Sequence, residues 1–544
     1  MKKIINKSFG SFTADAFKYA IASSHANVYV MLSRAVNWAN VSNSSNFDDS
    51  YVPYPYETVE YKNDVAKKGI ILKKINTADI QAVLPRTDWA SGVVYTAYDQ
   101  TANLFLKTSD LPITGGNVNV SVSLANTITT TNVTQLNLAF STPSIGLNDF
   151  IKIGEEVKEV IKINSAGDFI QVNSNFSSAY TQNTLYLVEY SGNQYYNKFY
   201  VRNDQDQVFK CLFNNNGAAS TIKPEIILGG QLPENPYIET SDGYKWKYMY
   251  TISSGQKSKF FTEKYMPVTT DTVVVNSANS GRIDIVQILN SGNGYYQGST
   301  INNYPIVSVT GDGTGAVFTV DVLNGAITEV NIINGGLNYS NAVLKITDPL
   351  KLPGSANANL RAVISPTLGH GYDPITELGS SELMVSVDFT GTMSGLYPIY
   401  GDGTSDYRQI AIVNKPNLSN GSAAGLSTYP MYTSIFVSSP SPSAYTPDMI
   451  VYVGTAFSNA SFSATVVHFD NAQNILLVND INGDVTSIEG KQIRDRNDTI
   501  VSTVFSYTKP DINILSGDIL YIENREKISR NSNQTETAKI VIEF

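Results

Sequence analysis

Cysteine and histidine are scarce in this sequence of 544 residues, which contains one cysteine, Cys211, and three histidines, His25, His370 and His468. A single cysteine excludes an internal disulfide framework and any CxxC metal or redox motif, and it is typical of a protein made in a reducing cytoplasm. The histidines lie in three separate regions and give no metal-ligand spacing. We therefore expect no metal and no cofactor, and we interpret Cys211 as a small hydrophobic residue of an apolar strand.

Charged side chains and long apolar runs are also scarce. Asp, Glu, Lys and Arg make up 16% of the chain, and the formal net charge is −10. Since a nucleic-acid groove needs clustered Lys and Arg, this balance argues against a nucleic-acid partner. No apolar run reaches the roughly 18 residues of a membrane span, and the first residues have no apolar stretch of the signal-peptide kind. We expect neither a membrane span nor an export signal.

Aromatic residues are abundant, with 33 Tyr and 22 Phe. The most regular stretch has Tyr244, Trp246, Tyr248 and Tyr250 at every second position. This period predicts a half-buried strand with all four rings on one face, starting just after a turn at residues 242–243. Similar strand patterns, separated by turn signals, recur along the chain. We therefore predict a mainly β, multidomain protein with sandwich-like or barrel-like modules, a few short helices and a composite core.

Two short helices are predicted near the start of the chain. The first covers residues 11–24, with Thr13 or Asp15 as the N-cap, because either side chain can accept from a free backbone N–H. The second covers residues 57–68 and ends at Gly69, which takes the C′ position where a positive φ is favoured.

The pattern divides the chain into a core built from four separated segments and three inserted β modules. One inserted module contains an internal repeat, because VQILNSGNGY at residues 286–295 matches VNIINGGLNY at residues 330–339 with an offset of 44 positions. Two units are too few for a solenoid or propeller, so we interpret them as one two-fold-repeated module. The core segments are residues 1–102, 198–280, 366–429 and 508–544, and the inserted modules are residues 103–197, 281–365 and 430–507.

Three stretches have a composition that superficially suggests a ligand-binding or catalytic role. Residues 311–315 (GDGTG) lack the Lys-Ser/Thr of a phosphate loop, and residues 480–484 (DINGD) have the wrong spacing for an EF-hand. The paired carboxylates Glu155 and Glu156 lie on a strand with an exposed pattern, where solvated charges are the simpler interpretation. The sequence therefore contains no recognisable set of catalytic residues, and we expect no catalytic residue.

Four patterned stretches occur in an order that resembles a known family. They are residues 82–89 (AVLPRTDW), 242–248 (DGYKWKY), 407–412 (YRQIAI) and 521–525 (YIENR). They are similar to segments found in the same order in the baseplate wedge subunit encoded by gene 8 of T-even-like contractile-tailed phages. The end of the chain, NQTE at residues 533–536 followed by a short apolar strand, also fits. The candidate core residues on these segments are Arg86, Trp89, Asp242, Gly243, Tyr244, Trp246, Tyr248, Tyr407, Arg408, Tyr521, Asn524 and Arg525.

This resemblance implies a late structural protein of the virion, mostly β, located in the tail baseplate. It also implies a homodimer that docks onto other wedge proteins and helps to couple the change of the baseplate to sheath contraction. The family supplies no catalytic residues to carry over. The inserted modules are a departure from the family pattern, and they either add contacts to neighbours or replace contacts of the shorter relatives.

Two alternatives remain open at this point. A tail-fibre or receptor-binding protein would use its Tyr-rich β modules to bind host glycans, and it would form an elongated trimer. A glycan hydrolase would need a deep cleft with two carboxylates about 5–9 Å apart. We favour the wedge protein, and we expect other wedge proteins as partners rather than glycans, nucleic acid or a membrane.

Overall fold

A computed structural model describes most of the chain. It covers residues 7–23, 26–38, 52–53, 55–56, 58–102, 104–105, 118–123, 135–137, 150–153, 156–163, 169–172, 176, 184–188, 197–226, 237–399 and 403–544. Of the residues singled out from the sequence, His25 and Glu155 lie outside this part of the chain.

The helices of the described residues are short. They are α1 (Lys7–Ala22), α2 (Val59–Lys67), α3 (Ser254–Phe260), α4 (Thr272–Ser277) and α5 (Pro374–Leu378). Helix α1 begins earlier than predicted, so the proposal of Thr13 or Asp15 as its N-cap is wrong, because both lie inside the helix. Its buried residues Ser11, Ala14 and Ile21 lie on the side of the helix that faces a sheet of the core, and this burial outweighs local capping preference.

Helix α2 is capped by Thr58, whose side chain accepts a hydrogen bond from the Tyr61 N–H at 3.2 Å. Gly69 directly follows the C-cap residue Lys68, as predicted for the C′ position, but it lacks the positive φ that is favoured there because it is already the first residue of the next strand. A Cβ atom at Gly69 would lie 2.5 Å from the Met431 sulfur. Close packing against Met431 therefore explains this glycine.

The strands before residue 280 are β1 (Val28–Ser33), β2 (Gly69–Lys74), β3 (Ile80–Pro85), β4 (Val118–Ser123), β5 (Gln135–Asn137), β6 (Phe150–Ile153), β7 (Glu156–Ile163), β8 (Phe169–Val172), β9 (Thr184–Val188), β10 (Tyr200–Arg202), β11 (Gln207–Asn214), β12 (Ile238–Glu239), β13 (Tyr244–Thr251) and β14 (Tyr265–Pro267). The later strands are β15 (Ile283–Asn290), β16 (Thr300–Tyr304), β17 (Val307–Gly311), β18 (Thr314–Leu323), β19 (Ala326–Leu337), β20 (Ala342–Ile346), β21 (Asn359–Ile364), β22 (Glu382–Thr390), β23 (Thr404–Asn414), β24 (Thr428–Pro430), β25 (Thr433–Val437), β26 (Ile450–Val453), β27 (Phe462–Asp470), β28 (Ile475–Gly483), β29 (Gln492–Asp495), β30 (Val501–Thr508), β31 (Asp518–Asn531) and β32 (Thr535–Glu543). The prediction of a mainly β, multidomain chain with short helices is confirmed.

Two sheets of the core pair strands that are far apart in sequence. One has the strand order β24-β2-β1-β23-β31, and the other has the order β14-β3-β22-β32. In the first sheet Val30 lies opposite Ile412, and in the second Ala82 lies opposite Leu383. All four of these side chains belong to the largest hydrophobic cluster among the residues that the structure describes. Burial of this shared apolar surface is what holds the separated segments together.

A third sheet, β10-β11-β13-β12, contains the aromatic strand β13. The prediction that its four rings share one face is wrong for Tyr250, which packs in the largest cluster, whereas Tyr244, Trp246 and Tyr248 pack in a separate aromatic cluster. In the pairing of β13 with β11, the register skips Met249, which makes a β-bulge at this position. A bulge of this kind rotates the part of the strand that follows it. The strand is also buried on both faces rather than half-buried, because it lies between two cores.

The remaining strands form three further groups. Strands β15 to β21 pair only among themselves, in sheets β15-β21, β16-β18-β19 and β17-β20. Strands β25 to β30 form a closed six-stranded barrel with its own hydrophobic cluster. Strands β4 to β9 form a six-stranded sheet with the order β4-β9-β6-β7-β8-β5.

We call residues 283–364 the repeat unit, because its two similar sequences form the same turn. The Gly292 N–H donates to Asn290 Oδ1 at 2.8 Å, and the Gly336 N–H donates to Asn334 Oδ1 at 2.9 Å. Both glycines have a positive φ, of 61° and 67°. An L side chain rarely adopts this conformation, which explains a glycine at this position in both copies.

Candidate functional site

Residues of the first motif, at positions 82–89, take part in a charged network around one aromatic ring. Asp88 accepts from Arg86 Nε at 2.8 Å and from Arg202 Nε at 2.7 Å. The two guanidinium groups lie 4.8 Å and 4.9 Å from the ring centre of Phe261. Burial acts to raise the pKa of Asp88, but the hydrogen bonds from both arginines outweigh it and leave this pKa below its usual value. Arg86 thus joins the segment after β3 to β10 and to the end of α3.

The carboxylate of Asp242 organises the loop that precedes the aromatic strand. Its Oδ2 atom accepts from the Thr221 N–H at 2.7 Å, from the Ile222 N–H at 2.9 Å and from Ser220 Oγ at 3.2 Å. Trp89 donates from its indole Nε1 to the same Ser220 hydroxyl at 3.1 Å. Burial acts to raise the pKa of Asp242, but hydrogen bonds from the Thr240 hydroxyl and from the Ile222 and Thr221 N–H groups lower it below its usual value. The first and second motifs therefore meet at Ser220.

The aromatic strand starts directly after Gly243, which has a φ of +80°. The Trp246 side chain is fully buried, and its ring stacks on Tyr244 with centroids 5.4 Å apart. The ring of Tyr95 contacts Trp246 edge-on at 5.4 Å. Tyr248 packs on Phe209 in the same cluster, with centroids 5.8 Å apart. These residues form an aromatic core.

The third and fourth motifs lie side by side on strands β23 and β31. The Asn524 side chain, which is 7% exposed, donates to Pro53 O at 2.6 Å and to Tyr61 Oη at 2.7 Å. It accepts from Gln409 Nε2 at 3.0 Å. Asn524 therefore ties both strands to the segment at α2.

The other residues of these two motifs differ in burial. Tyr407 and Arg408 are each 3% exposed, and Tyr407 Oη donates to Glu536 at 2.7 Å. Arg525 is partly exposed, with an ion pair to Glu523 at 2.7 Å. Tyr521 lies at the surface with 37% of its side chain exposed. Tyr521 therefore lies outside the core, because its side chain points away from the packed face of β31.

A buried ionic cluster was not identified from the sequence. Lys210 on β11 and Glu377 on α5 form an ion pair of 2.8 Å, and His370 Nδ1 lies 2.5 Å from the same Glu377 oxygen. Lys247 on β13 and Asp284 on β15 are also buried nearby. We call these five residues the ionic cluster. The only sequence signal was a lysine placed within the apolar run of residues 208–212.

Two clefts lie beside segments of the core. One, of about 500 Å³, lies between α2 and residues 513–520, with Met31 and Met431 at its apolar floor. The other, of about 480 Å³, lies between the core and the barrel, and its lining includes Arg34 and the carboxylates of Asp448, Asp480 and Asp495. The Asp495 carboxylate is already engaged by backbone N–H groups of its own turn, including that of Ile500.

Within the described ranges, no group of three or more His, Cys, Asp or Glu side chains is arranged to hold a metal ion. In the same part of the chain, none of the helices combines the length and apolar character needed to span a membrane.

Comparison with known proteins gives one family. Residues 17–155 match the model of a family described as Bacteriophage T4, Gp8. No curated protein sequence matches the chain. This match over residues 17–155 supports the interpretation of the protein as a structural component of a phage tail baseplate, and hence of the virion. Within this class, the resemblance to the baseplate wedge subunit encoded by gene 8 is confirmed for residues 17–155, which include the first of the four motifs.

Proposed function

We propose that this chain is a wedge subunit of a contractile phage tail, which works through protein surfaces and has no catalytic role. The observation that carries the proposal is the family match at residues 17–155. The three later motifs support it from outside the matched segment. Asp242 and Asn524, for example, connect separated segments by hydrogen bonds rather than facing an open site.

We further propose that the wedge subunit is a homodimer that contacts other wedge proteins and transmits the baseplate change that triggers sheath contraction. The support is the resemblance, since the family's role is structural. The low charge and the absence of basic clusters fit contacts with proteins rather than with nucleic acid. The protein needs no cofactor for this role.

The inserted segments are proposed as the parts that distinguish this subunit from shorter relatives. Their boundaries are residues 103–197, 281–365 and 430–507, with the core in the four remaining segments. The closed barrel formed by β25 to β30 and the self-contained sheets of the repeat unit support such boundaries. Exposed lysines such as Lys345 and Lys491 lie on two of these segments and can report on their neighbours.

Lysine crosslinking of purified tails, followed by mass spectrometry, tests this function. We expect crosslinks from both the inserted segments and the core to other wedge proteins. A matched control adds the purified chain to tails that are already assembled, which measures non-specific crosslinking. Crosslinks confined to distal fibres, together with attachment that free host sugars inhibit, would instead favour a receptor-binding protein.

A further inference from the structure

Helix α1 presents aromatic side chains to solvent on the side opposite its buried face. Phe12 is 70% exposed and Tyr19 is 71% exposed, the two highest values among the large hydrophobic residues that the structure describes. Ala16 lies between them and is also exposed. Residues three and four positions apart share one face of a helix, so these three side chains form a single stripe. A helix face that meets only water usually carries charged or polar side chains instead.

The helix is firmly fastened to the core, which holds this stripe in place. Ser11 Oγ donates to Ser380 O at 2.6 Å, and the ring of Phe17 packs against that of Phe544 with centroids 5.5 Å apart. A Cβ atom at Gly10 would lie 2.9 Å from Phe544 O, which shows how closely the helix approaches this residue. The outer face of α1 is therefore a preformed surface.

The stripe has the shape of a shallow slot. Phe12 and Tyr19 are seven positions apart, which separates them by roughly 10 Å along the helix axis. The side chain of Ala16 between them is small, so the two rings stand as walls on either side of it. A slot of this kind accepts one slender or flat side chain, which then contacts both rings.

The charge beside this slot is acidic. Among the exposed side chains of α1 that the structure describes, Asp15 is the charged one. Burial and the nearby carboxylate of Asp373, the N-cap residue of α5, raise the pKa of Asp15, and Lys18 acts in the opposite direction. The Lys18 ammonium is directed toward β3, where it lies 3.5 Å from Gln81 Oε1. The negative charge at the slot is therefore only partly offset from within the chain.

Aromatic rings beside a carboxylate are the groups that recognise a cationic side chain. The face of a ring attracts a cation, and arginine stacks on it because the guanidinium group is planar. A neighbouring carboxylate adds an ion pair with charge-assisted hydrogen bonds. The chain already uses this combination internally, since Arg86 and Arg202 lie over the ring of Phe261. Both of these guanidinium groups donate to Asp88.

A second copy of this chain is a poor occupant of the same surface. A two-fold contact brings the same face of both helices together. Pairing Phe12 of one copy with Tyr19 of the other places both Asp15 carboxylates close to the axis. Like charges that face each other across an interface oppose association. The net charge of −10 likewise favours a basic partner over another acidic chain.

We propose that the outer face of α1, formed by Phe12, Asp15, Ala16 and Tyr19, is a docking surface for an arginine-bearing segment of a neighbouring wedge protein. The guanidinium group of the partner lies over Ala16, between the two rings, and pairs with the Asp15 carboxylate. This inference rests on the proposed function, because it names the chemistry of one contact through which a wedge subunit acts.

Binding of the full chain to wedge assemblies that lack this subunit tests the surface. The assemblies are purified from cells infected by a phage defective in the subunit, and co-sedimentation gives the dissociation constant. We expect the double variant Phe12→Ala with Tyr19→Ala to raise this constant at least tenfold. The matched control is Phe505→Ala, which should bind like the parent protein, since Phe505 is 60% exposed but lies on β30 of the barrel.

Asp15→Asn tests the charge separately, because it keeps the shape of the side chain. We expect weaker binding and a shallower salt dependence than in the parent protein, since one ion pair is missing. Asp511→Asn, at another exposed aspartate, should change neither quantity. A photocrosslinking side chain in place of Ala16 should attach to an arginine-containing segment of another wedge protein. Attachment only to segments without arginine would overturn the assignment of the partner.

The outcomes separate this inference from the proposed function. Parent-like binding by both the aromatic double variant and Asp15→Asn would overturn the docking surface and leave the proposed function intact. Failure of the parent protein to bind the assemblies would contradict the proposed function itself, and the docking surface with it. Light scattering should give the aromatic double variant the same mass as the parent protein. A change from dimer to monomer in that variant would assign the surface to a second copy and overturn the basic partner.

Discussion

The indole ring of Trp246 stacks on the phenol ring of Tyr244, with centroids 5.4 Å apart and 16° between the ring planes. Residues two apart on a strand point to the same face, so their side chains are neighbours along it. The two rings lie at the centre of the aromatic core. Tyr95, which belongs to a segment far away in sequence, packs against Trp246 there. This core joins the first and second motifs.

The first prediction concerns this stack. We expect Trp246→Ala to lower the free energy of unfolding by about 3–5 kcal/mol, because it removes a fully buried side chain and leaves a cavity. Tyr521→Ala is the matched control, since Tyr521 belongs to another motif but is exposed, and it should change stability by no more than about 0.5 kcal/mol. Urea denaturation measures both. Equal effects would show that the aromatic core is peripheral to stability.

The sequence was sufficient to predict the aromatic strand and the turn before it, because both signals are local. Alternation of large rings sets the strand period, and the Asp-Gly pair sets the turn. It was not sufficient to predict that Tyr250 joins another core, since this depends on the bulge at Met249. A bulge is fixed by pairing with β11, and no local pattern specifies the register of a distant strand.

The candidate site shows the same division between local and long-range information. The motifs indicated which residues belong together, yet Asn524 acts through Pro53 and Tyr61, which are more than 460 positions away. The ionic cluster was missed for a related reason. Lys210 and Lys247 resemble ordinary strand lysines until the fold brings Glu377 and Asp284 to them.

The second prediction uses Cys211. Burial raises the pKa of its thiol well above the usual value, and only the thiolate reacts readily with alkylating reagents. We therefore expect Cys211 to resist iodoacetamide in the native protein and to react once the protein unfolds. Because Cys211 lies opposite Trp246 in the sheet, Trp246→Ala should accelerate its modification.

Mass spectrometry of the intact protein follows this reaction. The control is Ser258→Cys, an exposed position on α3 that should react within the native state. Fast modification of Cys211 in the folded parent protein would contradict the predicted packing of this sheet.

The third prediction is a pH dependence of the stability of the protein. Burial and the nearby Lys210 charge lower the pKa of His370 from its ordinary value of 6.5. The unfolded state then binds more protons than the folded state below that pH, so this group leaves stability unchanged above about pH 6.5 and lowers it as the pH falls. The lowered pKa of Glu377 adds a second loss below about pH 4.5, whereas the raised pKa of Asp284 opposes it.

Urea denaturation at pH 7.5 and pH 5.5 measures this effect. The expected loss of unfolding free energy from His370 at pH 5.5 is at most about 1.4 kcal/mol, which is the value of one pKa unit. His370→Gln should remove most of the difference between the two pH values. Greater stability at pH 5.5 in the parent protein would mean that the imidazole is protonated in the folded state.

The fourth prediction is that residues 281–365 fold when expressed alone. The two hydrophobic clusters of the repeat unit are internal, and its sheets pair only with one another. We expect dispersed amide signals in a nuclear magnetic resonance spectrum of the isolated segment. Asp284→Asn in the isolated segment should leave the spectrum folded, because the partners of Asp284 other than Arg282 lie outside it. Poorly dispersed amide signals from the parent segment would contradict the proposed boundary.

The last prediction concerns assembly, on which the proposed function depends. We expect the purified chain to be a homodimer with two-fold symmetry, the commonest closed arrangement of identical subunits. Because a dimer is stabilised by mass action, its unfolding midpoint should fall as the protein is diluted. Light scattering coupled to gel filtration gives the mass, which should be close to twice the chain mass of 59.3 kDa. Thermal unfolding at several concentrations then tests whether dimer and fold are coupled. A stable trimer would argue for the receptor-binding alternative, and a monomer whose midpoint is independent of concentration would remove the dimer from the proposed function.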